Sequence, residues 1–428
     1  MKKVALFSIL LILGLIGSQF LPALPGGAGP VVAPWLRLAT MIALAFIMIH
    51  VGYEFEIDRS NLRQYGWDYV VAFTAASFPW LFVTLYFVFV MLPSDQWGQW
   101  PAWKETLLAG RFAAPTSAGV LFSMLAAAGL SATWLFRKTR ILAIFDDLDT
   151  VLLMIPLKML MVGLAWQLGV IVFLMAGLLV IAFVLLHRVR IPVTWPWVIG
   201  YAVLIGLTSE VIYAGSKAID PSVPVHIEVL LPAFVLGCIM ARPEGADPHA
   251  DDAREGHQEG PESPVEQRVS TIVSAVFMVL VGLSMPAVFG LAEPAADSAA
   301  QAFATTEMAG DAAAESEMIT AAQPSPSWGV IALHVLAITV ISNLGKMFPA
   351  LCYRREAPWR HRLAVAIGMW PRGEVGAGVL VISLSYGIGG PVVTVAMLSL
   401  ALNLLLTGVF ILAVKRLLGL TAQSAGAD

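Results

Sequence analysis

The chain has 428 residues, 58% of them hydrophobic and 13% charged, with a formal net charge of −4 and a mean hydropathy of +0.81. A soluble domain carries about 25% charged residues, so this composition excludes a soluble globular chain and describes a polytopic membrane protein. The two cysteines, Cys238 and Cys352, both fall in apolar stretches and indicate neither a disulfide framework nor a metal cluster.

Apolar runs of about 20 residues recur along the chain. They predict an all-α fold of twelve membrane spans, at 4–24, 31–57, 66–92, 105–130, 139–164, 168–187, 193–217, 222–241, 269–292, 327–352, 361–386 and 390–416. The first run has a second reading. Lys2-Lys3, an apolar core and small residues also fit a cleaved signal peptide.

Span four is interrupted by Pro115, followed by Thr116 and Ser117. Proline removes a backbone donor and clashes with the preceding turn. Freed carbonyls and the two hydroxyls can then coordinate a cation, and two half-helix ends point their dipoles at the break. A plain proline kink would also account for one such site. Span eleven repeats the feature at Pro371-Arg372-Gly373-Glu374, and two breaks at matching positions favour the functional reading.

Span five carries Asp146 and Asp147 side by side in an otherwise apolar run. A carboxylate in hydrocarbon costs about 2.5–3.5 kcal/mol on insertion scales. An intramembrane acidic pair therefore faces a polar cavity and has partners, and its natural cargo is a cation or a proton. A desolvated carboxylate can hold a proton near neutral pH and exchange it for a cation. Hard monovalent cations want oxygen ligands, which Asp, Thr, Ser and open carbonyls supply. Asp149, two residues on, points to another helical face; Arg111 and Lys158 are its two candidate partners. Lys346 lies inside span ten. It either pairs with Asp146 or Asp147 or snorkels to the inner surface. Arg372 and Glu374 pair with each other or with polar groups at the break. Glu54, Glu56, Asp58, His226, Glu228, Glu210 and His334 are ionisable groups in or near spans, and those at span ends read as interfacial. Glu210 and His334 lie deeper, without an assignment.

Two polar segments interrupt the spans and read as disordered loops. Residues 242–268 hold eight acids and three arginines, and 293–326 hold six acids and no Lys or Arg. A short tail follows at 417–428. With the N-terminus inside, the inner loops carry 18 Lys and Arg residues and the outer loops only Lys104 and Lys217. That bias satisfies the positive-inside rule. It places both termini and 242–268 in the cytoplasm and 293–326 outside.

A weak internal repeat runs across the chain. Residues 45–52 resemble 275–282, and 114–121 resemble 370–380, in each case seven spans apart. An odd offset reverses orientation. Inverted repeats with Pro/Gly-interrupted spans at matching positions, here two crossing broken helices in spans four and eleven, are the signature of a secondary transporter. The chain has no ATP-binding loop, zinc-protease motif or nucleophile elbow, so energy must come from an ion gradient. No cofactor is indicated. An exchanger, a sodium-coupled organic anion symporter and a channel or receptor on the same fold all remain open at this level.

The segment Ala-Pro-Thr-Ser-Ala-Gly (114–119), the pair Asp146-Asp147, the run Pro-Arg-Gly-Glu-Val (371–375), Gly-Tyr-Glu-Phe-Glu-Ile-Asp (52–58) and Lys346 together resemble the monovalent cation:proton antiporters, over about 40–416. The resemblance implies a core domain (about 66–164 and 327–416), with the remaining helices as dimerisation scaffold, a homodimer, and alternating access by a sliding core. It implies sodium/proton exchange in a bacterial-type inner membrane, with potassium as the alternative cation. The second acid of the family's pair is its ion ligand, which maps to Asp147, the monovalent-metal ligand of the set. The first acid pairs with the basic residue, which maps to Asp146 and Lys346. Thr116 and Ser117 join the ion site, and Pro115, Pro371, Arg372, Gly373 and Glu374 shape the breaks. Members with two acids tend to be electrogenic. The chain departs from the pattern in placing Pro115 before Thr116 and in carrying Asp149.

Overall fold

The computed structural model describes residues 2–20, 28–53, 62–162, 166–219, 229–241, 264–284, 318–324 and 326–419. Among them there is helix and no strand; one isolated bridge joins Val189 to Met240. Each of the twelve expected spans holds helix. In chain order these are α1 (Lys2–Phe20), α2 (Ala28–Tyr53), α3 (Leu62–Tyr86), α4 (Trp100–Gly110), α5 (Ala118–Ala127), α6 (Trp134–Val162), α7 (Trp166–Val184), α8 (Trp195–Ile219), α9 (Leu230–Ile239), α10 (Pro264–Leu283), α11 (Trp328–Gly345), α12 (Pro349–Cys352), α13 (Trp359–Gly368), α14 (Glu374–Ser385) and α15 (Gly390–Leu417). Among the described residues, seven stretches are by themselves long and apolar enough to cross a membrane: Lys3–Phe20, Pro34–Tyr53, Arg63–Met91, Trp195–Ser216, Val265–Leu283, Trp328–Cys352 and Gly390–Leu417. The 29-residue α6 is long enough too, but it carries the acids.

Proline alone does not break these helices. Pro34, Pro79 and Pro156 ride inside α2, α3 and α6. The expected breaks fall where proline coincides with polar residues: 111–117 separates α4 from α5, and 369–373 separates α13 from α14. Four features depart from the sequence reading. Span ten is interrupted as well, because α11 ends at Gly345 with Lys346 as its C-cap and Pro349 starts the short α12 at its first position. Span three ends in a π-turn, Phe87–Met91. The acidic segment 242–268 gives way to helix at Pro264, whose fixed φ suits a helix start. Glu266 sits in that first turn and accepts from the Trp195 amide at 2.9 Å. Likewise the last part of the 293–326 segment is held: Glu105 of α4 accepts from the amides of Ile319 (3.1 Å) and Thr320 (2.8 Å) and from the Thr320 hydroxyl (2.8 Å).

The contacts divide the chain into two compact units, one of residues 1–36, 60–164 and 278–428, the other of 37–59 and 165–277. In the first, α3 packs on α6 and α11, and α15 packs on α1, α11 and α13. The centre of this unit is built from Ala, Val and Leu with little or no exposure, including Val71, Ala72, Ala75, Leu121, Ala364 and Leu400. In the second, α7 and α8 pack on α9.

Gly345 fixes one close approach in the first unit. A Cβ there would strike the backbone of Pro79 in α3, so α11 ends in direct backbone contact with its neighbour. Gly345→Ala must push the two helices apart and should lower the thermal stability of purified protein by about 1–3 kcal/mol, as overpacking does. Gly378→Ala, where the added methyl meets nothing within 4 Å, serves as control and should be neutral or slightly stabilising. Equal melting curves for the two variants would show that the α3–α11 contact is loose.

Candidate ion-binding site

The site forms where helices stop. After α4 the chain tightens into a single 3₁₀ turn, Arg111–Ala113, then runs outside any helix until Ser117 caps α5, its hydroxyl accepting from the Val120 amide at 3.4 Å. The Thr116 amide is therefore free of any helix. It donates to Asp146 Oδ2 on α6 at 2.8 Å. The same oxygen receives Lys346 Nζ at 2.7 Å, and Lys346 also donates to the Thr116 hydroxyl at 2.6 Å. That hydroxyl in turn donates to the Met369 carbonyl at 3.1 Å. One carboxylate oxygen thus ties α6, the first break and the end of α11 together, and Thr116 links them to the second break.

Asp146, Thr116 and Lys346 are each 0% exposed. Lys346 does not snorkel; its ammonium points into the protein. Asp147, next along α6, is also buried. Asp146 Oδ1 has no hydrogen-bond partner among the described residues.

Arg372 holds the second break from inside. Its Nε donates to the Ala113 carbonyl at 2.9 Å, Nη1 to Asn343 Oδ1 at 2.7 Å and Nη2 to the Ser342 carbonyl at 2.9 Å. The two breaks touch directly, since the Ser117 amide donates to the Pro371 carbonyl at 3.0 Å. Gly373 lies against Ser117, where a Cβ would come within 3.0 Å of its hydroxyl. Glu374 opens α14, but its side chain is outside the described set.

The charges match the helix ends they meet. The helix macrodipole favours anions at an N-terminus and cations at a C-terminus. Asp146 sits at the unwound entry to α5, while Arg372 sits on carbonyls near the ends of α4 and α11. Arg111, fully buried in the 3₁₀ turn, stacks 5.0 Å from the Trp80 ring and donates from Nη2 to the Asp149 carbonyl at 3.0 Å. Asp149 is itself buried, at 1% exposure. This set contains three buried acids, Asp146, Asp147 and Asp149, and three buried bases, Arg111, Lys346 and Arg372, so with all six ionised its formal charge is zero.

Several polar groups that the sequence left without partners find them. In the second unit Glu210 takes Arg37 Nη2 on both oxygens at 2.8 Å. In the first, His334 Nδ1 meets the Tyr86 hydroxyl at 2.9 Å. Glu54, Glu56, Asp58, His226 and Glu228 lie outside the described residues. Sequence reasoning missed Asn343, which orients Arg372, and a cluster in which Lys138 bridges the buried Asp68 (3.1 Å) and the exposed Glu356 (3.0 Å) while Tyr353 donates to Asp68 (2.8 Å). An aspartate in the first turns of an apolar run was the available signal for that cluster. Nothing local marks Asn343.

The sequence matches the protein-family model described as sodium/hydrogen exchanger, transmembrane, over residues 2–417. The structure is similar to that of the sodium proton antiporter MjNhaP1 from Methanocaldococcus jannaschii, at 14% identity and a TM-score of 0.52, covering 94% of this chain and 92% of that one. At such identity the likeness speaks for the fold. Among curated proteins no match is found.

The Asp146–Lys346 geometry generates a stability prediction. Removing one partner of a buried pair leaves an uncompensated charge, which costs about 3–5 kcal/mol. Lys346→Ala should lower thermal stability by an amount of that order, and adding Asp146→Asn should recover part of the loss, because the orphan charge is gone. A double-mutant cycle on purified protein measures the coupling. Strictly additive losses would mean that the 2.7 Å contact contributes nothing.

Proposed function

The chain belongs to the sodium/hydrogen exchanger family, and from that premise we propose that it is a secondary antiporter that admits sodium in exchange for protons by alternating access, with Asp147 as the ion ligand. It is a multi-pass membrane protein of a family of cation/proton exchangers.

One observation supports the reading above the others: Asp146, Lys346 and Thr116 share a single carboxylate oxygen at the point where two interrupted helices meet. Lys346 and the Thr116 amide occupy Asp146 Oδ2, so the neighbouring Asp147 is the acid assigned to the travelling ion. Thr116, Ser117 and the carbonyls of the breaks supply further oxygens of the kind a hard monovalent cation takes. The electrostatics explain why the transport is an exchange. With all six groups ionised the named set sums to zero, so Asp147 can take one added charge, a proton or a monovalent cation; both together would leave a second excess positive charge in a low-dielectric site, at high cost. An arriving cation therefore displaces the proton held by Asp147.

In this reading the first unit carries the ion, and the second serves as scaffold and dimer interface of a homodimer in the cell's inner membrane. Both termini face the cytoplasm in this reading, which the bias of Lys and Arg towards the inner loops supports.

The test is a proteoliposome assay with a trapped pH dye. Adding sodium, with no organic solute present, should move protons in the opposite direction, and a series in sodium, lithium and potassium ranks the cations. A response that requires an organic anion would replace exchange with symport. Asp147→Asn keeps the shape and removes the charge; it should abolish the sodium-driven signal while the protein still purifies as a folded species. Full transport by this variant would move the ion site elsewhere.

Topology is tested separately. In a cysteine-free background, Gln99→Cys and Arg355→Cys, both at exposed positions, should react with an impermeant thiol reagent from opposite faces of the membrane, Gln99→Cys from outside. Labelling of both from one face would overturn the twelve-span arrangement.

A further inference from the structure

The ion site leaves unexplained an apolar groove of about 250 Å³ in the first unit, lined mainly by Phe78, Leu344, Met347, Phe348, Leu351 and Trp359. Phe78 and Phe348 form one wall, edge to face with centroids 5.8 Å apart. The lining is half open: Leu344 is 60% exposed, Leu351 53% and Trp359 50%. In a membrane chain, an open groove of large apolar side chains is a surface for acyl chains.

One end of the groove carries a cationic rim. Arg362 donates from Nη1 to the carbonyl of Ala350, itself part of the lining, at 3.0 Å, and its guanidinium lies 5.3 Å from the centre of the Trp359 ring. Arg354, Arg355 and Arg360 are exposed in the same short stretch. Its one acid, Glu356, is engaged by Lys138 at 3.0 Å, so the arginines are not neutralised by it.

We propose that this groove is a binding site for an anionic phospholipid, with one acyl chain lying along Phe78, Leu344, Leu351 and Trp359 and the headgroup phosphate on Arg355, Arg360 and Arg362. The chemistry on both sides fits. A planar guanidinium matches the geometry of a phosphate, and an amphipathic tryptophan settles at headgroup level. A neutral lipid packing against the same helices would use the apolar wall alone and gain nothing from the rim.

The position gives the site a consequence for transport. The lining runs through Gly345 and Met347, the two neighbours of Lys346, while Lys346 itself turns inward to Asp146. A lipid seated there packs against the turn that aims the lysine.

The experiment compares phosphatidylglycerol with phosphatidylcholine of identical chains, added to detergent-purified full-length protein and read by native mass spectrometry and by the melting temperature. Phosphatidylglycerol should be retained preferentially and raise the melting temperature. Each arginine removed in Arg355→Gln and Arg360→Gln should cut that preference about fivefold, as expected for a basic residue at an anionic surface. Leu351→Trp, which fills the mouth of the groove from an exposed position, should abolish it. Equal retention of the two lipids overturns the proposal, as does a preference that survives the arginine substitutions. A preference lost on removing the arginines but untouched by Leu351→Trp also overturns it, because the headgroup would then be held without the groove. Wild-type protein gives an independent reading: a photoactivatable phosphatidylglycerol should label residues 344–362 or Phe78, and labelling confined to other segments sinks the idea whatever the variants do.

Discussion

A carboxylate inside a membrane protein must be compensated where it stands, and Asp146 is compensated on one oxygen by two groups from different parts of the chain. Neither group would be available in an unbroken helix. The Thr116 amide is free because residues 114–117 are unwound, with no helical carbonyl to meet it. Lys346 reaches inward because α11 stops at Gly345 and the chain turns there. The cost of breaking two helices in an apolar setting, several kcal/mol for each unsatisfied backbone group, is offset by the charged groups that meet the exposed ends. The acid and the breaks therefore explain each other: each would be expensive alone.

The second half of the site obeys the same rule with opposite sign. Arg372 places its fork on Ala113, Ser342 and Asn343, two of which offer backbone carbonyls left over where helices end. Its partners come from spans four and ten, so one guanidinium fastens the second break to the first and to the end of α11. A lysine could not do this, because its point charge lacks the planar set of donors. Arg111 is held more simply, by one carbonyl and by the face of Trp80, which is a sparse environment for a fully buried cation.

Most of the architecture was legible in the sequence because it follows from hydropathy and punctuation. Apolar length located the spans, and proline beside polar residues located the breaks at 111–117 and 369–373. The break after Gly345 escaped because its signal is different: a glycine C-terminal stop and a proline three residues past Lys346, inside a run that stays apolar. The site was legible as a set of residues but not as a set of bonds. Asp146, Asp147, Lys346 and Arg372 announce themselves by being charged in hydrocarbon. Asn343, the Met369 carbonyl and the Ala113 carbonyl do not, since a neutral amide or a backbone oxygen looks the same in sequence wherever it points. The Arg37–Glu210 pair shows the limit of counting charges by loop. Both residues sit inside spans, and only tertiary packing brings them together.

The proposed division of labour between the two adjacent acids rests on geometry that any α-helix imposes. Successive residues point about 100° apart, at 3.6 residues per turn, so Asp146 and Asp147 cannot serve the same partners. The face of α6 that carries Asp146 also carries Asp149 and Thr150, three and four residues on, and Thr150 returns its hydroxyl to the Asp146 carbonyl at 2.8 Å. That face is committed to Thr116, Lys346 and Arg111. Asp147 looks out from a different side of the same turn, within the field of the same bases but outside the Lys346–Thr116–Asp146 knot. An acid whose charge is needed to hold the helices in place is poorly suited to surrender it to every passing cation. An acid beside that knot can alternate between proton and cation while the framework stays intact, and this is the physical ground for proposing Asp147 as the ligand of the travelling ion.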